Sequence, residues 1–549
     1  MANPSPSRAA VPLSVDVRRL PWIRRLTADY AHAFRELAPF FAGNPADPAA
    51  WRDAIDRAGK ADRPRAAIAA AIEEQQRCRG APPAARAAAH ELRDARSVAV
   101  VTGQQAGLFG GPLYTLLKAV TAIKLAAYVR AACDVPAVPV FWIESEDHDW
   151  NEVATCWVLD PELERRAITL PRLPGAGIAP VAAIRLDATV GPTIDALQQA
   201  LPPTDFTASL VDELRESYSN DVTISDAFGR WILRTLGEHG LVVYDASDRT
   251  TKPLVRDLFA REIEHPGRTS AIAAEAGREL VARGYHAQVA ANEDAVALFH
   301  LDGAREPIHR VADGLMVGPT RRTTRDLLRE LDEHPAAFSP NVLLRPLVQD
   351  SLFPTVAYVA GPNELAYLAQ LRGVYEWFGV PMPLMALRAS ATLVDSAAVR
   401  FITRTGLGFE ELGQDDEGVL NRFVERQLPP SVDAAWQEAD SSVTKRMEAL
   451  IEAMPLIDPT LEGAARSALG RMKHDLDALH DKIVHAAKRR DDTLRRQFGR
   501  TRALAFPGGQ PQERAVGFVY FLNRYGPALV ERLVAELPLD VRHHWVISI

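Results

Sequence analysis

Two stretches of this chain combine residue types and spacings that could do chemistry. The first, Gly103 to Gly111, reads Gly-x-x-x-Gly-x-x-Gly-Gly, with Gly107 and Gly110 inside it and Pro112 behind it. Glycines let backbone N–H groups approach an anion, and a helix starting behind them favours negative charge there. Gln104 and Gln105 add neutral donors and acceptors. Tyr114 and Lys118 follow early in the next segment, where the lysine could reach a phosphate or a carboxylate. The pattern is neither G-x-G-x-x-G nor a loop ending in Gly-Lys-Ser/Thr, so it is not a standard dinucleotide loop or a P-loop. A tight turn without a ligand is the competing reading. The second stretch is Glu146-Asp147-His148-Asp149. In extended backbone Glu146 and His148 point one way and Asp147 and Asp149 the other. Such a run suits Mg²⁺ ligation through water, general-base work, or a hydrogen bond to an amine or ribose. Zinc is not expected, and no metal ligand is assigned, because no second His/Cys group has ligand spacing. An acidic turn capping the next helix is the alternative.

Further along, Arg345 and Gln349-Asp350 precede an apolar run that ends in Gly361-Pro-Asn-Glu364, either a ligand edge or a plain capped helix. Arg321, Arg322 and Arg325 read as a solvated basic face, and His543 and His544 as surface or docking residues.

Positioning these groups takes a strand, Val98 to Thr102, the glycine loop, a helix from Leu113 to Arg130, and a second strand, Val138 to Ile143. That is one right-handed βαβ unit, whose loops emerge together at the carboxyl edge of a parallel sheet, where open α/β sheets bind ligands. Leu241 to Tyr244, Leu343 to Gln349, Val356 to Ala360 and Met382 to Ala386 read as further strands. His286 to His300 and Glu306 to Val311 read as β with a turn at Asp302-Gly303. A helix is expected from Gly361 to about Phe378, and three helical segments between Leu26 and His90. Residues 1–20 are expected to be partly extended. Towards the C-terminus, Asp433 to Met454 and Thr460 to Phe498 read as long polar helices. Ala465, Leu469, Met472, Leu476, Leu479, Ile483 and Ala486 step by three and four, as in a helical hairpin or coiled-coil arm. The expected division is 1–95 helical, 96–405 an α/β core with insertions at about 155–240 and 285–335, 406–505 a helical coiled-coil domain, and 506–549 a segment docking back on the core.

Composition narrows the class. The 549 residues are 47% hydrophobic and 24% charged, with a net charge of −8, so no global basic field exists to hold nucleic acid. Three cysteines, Cys78, Cys133 and Cys156, lack metal-type spacing and read as small buried hydrophobes of a reducing compartment. No secretory leader and no run of 18 apolar residues is present, which predicts a cytoplasmic protein without a membrane span.

These residues are specific enough to carry a resemblance. TGQQAGLFGGPLYTLLKA followed by VPVFWIESEDHDWNEV resembles the bacillithiol biosynthesis cysteine-adding enzymes, the BshC family. The likeness recurs at SPNVLLRPLVQDSLFPTVAYVAGPNELAYLAQL, at MPLMALRASATLV and at GGQPQERAVGFVYFLNRYG, in order from about Ser97 to Gly526. Asn151 stands where an acidic residue is common, and Glu144-Ser145 replaces a small pair. The resemblance implies a Rossmann-like core related to class I nucleotidyltransferases, connecting-peptide insertions and a C-terminal helical coiled-coil arm. It implies ligation of L-cysteine to glucosaminyl malate, with ATP or ADP bound, Mg²⁺ as a possible companion, and a homodimer formed through the arm. Under that reading Gly103 to Gly111 would cradle phosphates with Lys118 as charge partner. Glu146 to Asp149 would hold or deprotonate the amine, and Arg345 and Arg388 would meet malyl or phosphate groups. A nucleotide- or thiol-binding regulator on the same fold, and a metal-dependent hydrolase, remain open beside it.

Overall fold

A computed structural model of the chain describes residues 13–289, 292, 294–414, 419, 430–490 and 492–549. Residues 1–12 of the expected extended N-terminus lie outside these, as do three positions of the stretch His286 to His300. The chain forms two compact units. The first holds the described residues up to Leu393 together with Gln512–Ile547, and the second holds Val394–Pro511.

The first unit is built on five parallel strands: β1 (Val98–Gln105), β2 (Ala137–Glu144), β3 (Val242–Asp245), β4 (Thr355–Ala360) and β5 (Leu384–Leu387). Their spatial order is β5-β4-β1-β2-β3, the half-and-half arrangement of a doubly wound Rossmann sheet, with its switch point between β1 and β4. Both faces are covered, which is why the strands read as continuous apolar runs rather than alternating ones. Ala99, Val101, Val138, Val140, Trp142 and Tyr358 face one side, against the N-terminal helices and residues 343–375. Val98, Val100, Phe141, Ile143 and Leu384 face the other, against helix α1 (Leu113–Cys133), helix Pro48–Lys60 and the C-terminal segment.

Two excursions leave this sheet. Between β2 and β3 come the hairpin Thr155–Leu159/Arg165–Thr169 and helices Val190–Ala200, Thr207–Ser217 and Ile224–Leu236. Between β3 and β4 lies a five-stranded antiparallel sheet, ordered Thr320–Arg322, Gly314–Val317, Ala304–Val311, Ala295–Asp302 and Phe338–Pro340. Its hairpin turns at Gly303, which has φ +72°. The three strands beyond the two expected here were missed because each is only three or four residues long.

The expected strand at Leu343 to Gln349 is instead helix α2 (Arg345–Leu352). Asn341 Oδ1 accepts from the N–H groups of Leu343 (2.9 Å) and Leu344 (3.2 Å), and Pro346 sits in the first turn, both helix-start signals. The single helix expected after Gly361 is two, α3 (Pro362–Leu368) and Arg372–Phe378, and the N-terminal region holds four α-helices, not three.

In the second unit, helices Pro430–Ala453 and Leu461–Arg490 run antiparallel, with the Trp436 and His480 rings in tilted contact (centroids 4.4 Å apart) and Lys473 Nζ 3.5 Å from Asp440. The heptad positions are incompletely covered: Met472 is 44% and Leu479 53% exposed.

Candidate active site

The carboxyl ends of β1, β2 and β4 open onto a cavity of about 600 Å³. Gly103, Gln104 and Gln105 enter it from β1, Trp142 and Glu144 from β2, and Tyr358 from β4. Tyr114 and Lys118 come from α1, Arg345 from α2, and Glu364 and Tyr367 from α3. Arg305 is delivered by the inserted sheet, and Arg388 and Arg514 complete the wall.

The charges in this wall are mostly paired. Lys118 donates to the Gly103 carbonyl (2.8 Å) and Gln104 Oε1 (3.1 Å) and forms an ion pair with Glu364. Glu364 also accepts from the Gly361 N–H (2.7 Å) and the Tyr358 hydroxyl (2.8 Å). Burial works against its ionised form, but Lys118 and these donors outweigh it and hold the carboxyl below its ordinary range. Asp147 accepts from Gln105 Nε2 (2.7 Å), Arg305 Nη1 (3.0 Å) and the His148 N–H (2.8 Å). Arg305 also donates to the Pro340 carbonyl (3.2 Å) and lies over the Phe299 ring at 3.9 Å.

Glu144 accepts from Trp142 Nε1 (3.2 Å) and lies 3.5 Å from Arg345 Nε; burial raises its pKa against the pull of that arginine. Arg345 also donates to Gln349 (3.1 Å) and sits over the Trp142 and Tyr358 rings. Arg388 forms a bidentate pair with Glu513 (2.7 and 2.6 Å), both nearly wholly buried. Burial alone would raise Glu513, yet Arg388 holds it down at about 2. Tyr114 is pushed up to about 12 by burial and the nearby Glu152.

The four acidic-run residues are not assembled at one point. Ser145 hydrogen-bonds Asp245, so the backbone leaves the extended path directly after β2. Glu146 is buried in an ion pair with Lys252 and does not line the cavity. Asp149 caps helix Trp150–Val153, accepting from Asn151 N (3.1 Å) and Glu152 N (3.3 Å). His148 is partly exposed beside Asp147. Only Asp147 of the run reaches the cavity. Among the described residues, no cluster of three His, Cys, Asp or Glu side chains has a metal-holding arrangement.

The glycine loop corrects a second expectation. Gly103 lines the cavity, but Gly107, Gly110 and Gly111 do not. Their N–H groups are spent within the turn, on the carbonyls of Gln105 (2.8 Å), Gly107 (3.0 Å) and Leu108 (3.1 Å). The Leu113 N–H goes to Val516 (2.9 Å). The turn is therefore a socket for the C-terminal segment rather than a phosphate cradle: a Cβ on Gly110 would stand 2.2 Å from Phe518.

Arg514, Arg305, Glu144 and Glu152 are cavity residues that the sequence reading did not single out. The quoted motif GGQPQERAVGFVYFLNRYG contains Arg514, but nothing in the spacing marks it as a wall of a cavity formed 400 residues earlier. Other sequence expectations fall outside the cavity. Arg321 pairs with Asp313 (3.0 Å) and Arg322 with Glu330 (2.6 Å). Gln349 and Asp350 are buried beside Tyr375. His544 is buried between Ser390 (2.7 Å) and Thr392 (2.8 Å), with its pKa lowered to about 4 by burial. Cys156 is buried, as expected, whereas Cys78 is exposed.

Comparison with known proteins adds the family. The chain is 37% identical over 530 residues to a protein of Salinibacter ruber, covering 95% of this chain and 96% of the relative. It is 35% identical over 529 residues to one of Koribacter versatilis, covering 95% and 97%. With one of Geobacillus thermodenitrificans it shares 33% over 453 residues, covering 81% and 83%. Each of these relatives carries the name "Putative cysteine ligase BshC". Residues 13–389 match the model described as "Bacillithiol biosynthesis BshC, N-terminal Rossmann-like domain", and residues 391–549 match "Bacillithiol biosynthesis BshC, C-terminal coiled-coil domain". The five quoted motifs, the Rossmann sheet and the two matches together place this chain in the bacillithiol biosynthesis BshC family.

Proposed function

We propose that this protein is a ligase that joins L-cysteine to the amine of glucosaminyl malate, giving bacillithiol. The observation that carries the reading is convergence. All five motifs, separated by up to 400 residues of chain, send side chains into the one cavity at the sheet's switch point. An amide cannot form from a free carboxylate without activation, and ATP with Mg²⁺ is the activating substrate we propose. The cysteine carboxylate attacks the α-phosphorus and pyrophosphate leaves. The neutral amine then attacks the acyl carbon, a C–N bond forms, and AMP leaves with the electron pair of the broken C–O bond. The amine's proton passes to a carboxylate or to water. Asp147, the acidic-run residue that lines the cavity, would hold the incoming amine and take its proton. The phosphates would be met by cavity side chains, since the glycine turn's N–H groups are spent.

The test is product detection by mass spectrometry with cysteine, glucosaminyl malate and the purified protein, with and without ATP and Mg²⁺. Bacillithiol formed only with ATP supports the reading. Product without ATP removes the activation step, and no product under either condition sinks the ligase assignment.

We also propose a cytoplasmic homodimer formed through the helical arm. The exposed seam residues Met472 and Leu479, with Leu450 at 46%, favour a second copy along the hairpin. Among the described residues no helix is long and apolar enough to cross a membrane. Sedimentation should give twice the chain mass, and Met472→Glu with Leu479→Glu should give the monomer.

A further inference from the structure

The cavity's charges can be matched one by one, and the matching leaves one cation, Arg514, and one carboxylate, Glu152, over. Of the five cationic side chains in its wall, Lys118 is tied to Glu364, Arg305 to Asp147, Arg345 to Glu144, and Arg388 to Glu513. Arg514 is different. Among the described residues it has no carboxylate within ion-pair distance, and its guanidinium stands 5.9 Å from the centre of the Tyr114 ring. Its neighbour Glu513 is locked onto Arg388, so the helical turn Gln512–Ala515 fixes the backbone that carries Arg514 while leaving its charge free. A planar fork with unspent donors at a cavity wall matches a carboxylate. We propose that Arg514 is the specificity residue that holds a carboxylate of the acceptor's dicarboxylic arm.

Chemistry decides which carboxylate. The amino-acid donor's carboxyl is the reacting group and loses its charge on activation, so a cation dedicated to it would lose its partner midway. The acceptor's malyl carboxylates survive the whole reaction and keep their counter-ion throughout. The surroundings favour this too: Arg514, itself exposed at the cavity wall, and Arg388 both stand near the Tyr114 ring, so the site offers one aromatic face and a polar fork side by side. The assignment rests on the ligase reading above and adds to it the residue that selects the acceptor.

The experiment compares two acceptors, glucosaminyl malate and a neutral alkyl glucosaminide, in wild-type protein and in the Arg514→Gln and Arg514→Lys variants. KM is measured separately for acceptor, cysteine and ATP. A lost charge-assisted bidentate contact should raise KM for the malyl acceptor about 10- to 100-fold in Arg514→Gln. The cysteine and ATP values and kcat with the alkyl acceptor should stay close to wild type. Arg514→Lys should fall between, since a point charge keeps attraction but not the fork. Arg514→Gln should thus abolish the preference for the malyl acceptor. If the preference survives, or if the KM for ATP or cysteine rises instead, Arg514 does not select the acceptor and the assignment is wrong while the ligase stands. If all substrates suffer equally with either acceptor, the residue is structural and the assignment again fails. If wild-type protein joins cysteine to neither acceptor, the ligase reading itself falls and takes this assignment with it.

Discussion

Lys118 shows how a residue that invites a ligand can be committed elsewhere. From spacing alone it is a lysine one turn into a helix behind a glycine loop. In the structure its ammonium is 3% exposed and neutralises Glu364, itself 24% exposed, from across the switch point. That pair joins α1 to α3 and so fixes the mouth of the cavity. Removing one partner leaves the other buried and unpaired, which is far costlier than the pair is worth. Lys118→Met should therefore lower stability by about 3 kcal/mol, towards the lower end for buried pairs because Glu364 keeps some contact with water. Adding Glu364→Gln to that variant should recover part of the loss, since the glutamine retains an acceptor for the Gly361 N–H. Urea denaturation of the two variants decides this. A single-variant loss below about 0.5 kcal/mol, the size of an exposed pair, would show the lysine to be free for ligand.

Elements explain what could be read beforehand and what could not. The βαβ unit was legible because a β-branched run, a glycine loop and a helical period each leave a local signature, and Val98–Gln105, Leu113–Cys133 and Ala137–Glu144 form where those signatures lie. Arg345–Leu352 misled because Leu343, Leu344, Leu347 and Val348 fit a buried strand as well as a helix; Asn341 and Pro346 held the deciding information. The site was half legible. Gly103, Gln104, Gln105, Tyr114, Lys118, Asp147, Arg345, Gly361, Glu364 and Arg388 line the cavity, whereas Gly107, Gly110, Gly111, Glu146, His148 and Asp149 do not. Local spacing reports that a loop is tight, and it is silent on which distant segment fills it. Here the filler is helix Phe518–Tyr525, whose Phe518 ring occupies the space over Gly110. Gly110→Ala meets both that ring and a φ of +95°, so it should destabilise by about 3 kcal/mol or more. Phe518→Leu should cost less on the Gly110→Ala background than on the wild type, because the clash is relieved. Additive losses would mean that the turn and the terminal helix do not press on each other.

At the scale of the molecule, two buried carboxyl groups titrate in opposite senses, and their contributions to stability are lost on opposite sides of about pH 4.5. Glu513 anchors the C-terminal segment through Arg388 and is held down at about 2, against an ordinary 4.5. The unfolded chain binds its proton first as pH falls, so the stability this pair gives is present above about 4.5 and disappears towards about 2. A shift of that size corresponds to about 3 kcal/mol. Glu262 behaves oppositely. It is 1% exposed, has no ion-pair partner among the described residues, and accepts only from Thr269 and the Ala297 N–H (2.7 Å), so burial pushes it up to about 7. Here the folded state holds the proton more tightly, and stability falls as pH rises from about 4.5 through about 7, again by about 3 kcal/mol. Ala297 lies in the strand that also carries Phe299 to the cavity, so the cost falls on the element that delivers that wall. These two groups by themselves favour about pH 4.5 to 5. His544, held down at about 4 by burial, works against the neutral decline, because below about pH 6.5 the unfolded chain binds its proton first. The Glu262 limb is therefore read as the difference between variant and wild type. Glu262→Gln keeps an acceptor for Ala297 without a charge. Relative to wild type it should gain stability between about pH 5 and 7 and leave the acid limb untouched. Arg388→Met, which leaves Glu513 buried and unpaired, should instead remove the acid limb and lose most stability above about pH 4.5. Chemical denaturation from pH 3 to 9 reads both limbs at once. A Glu262→Gln protein whose stability keeps the same difference from wild type at about pH 5 and at about pH 7 would show that Glu262 does not titrate in this window.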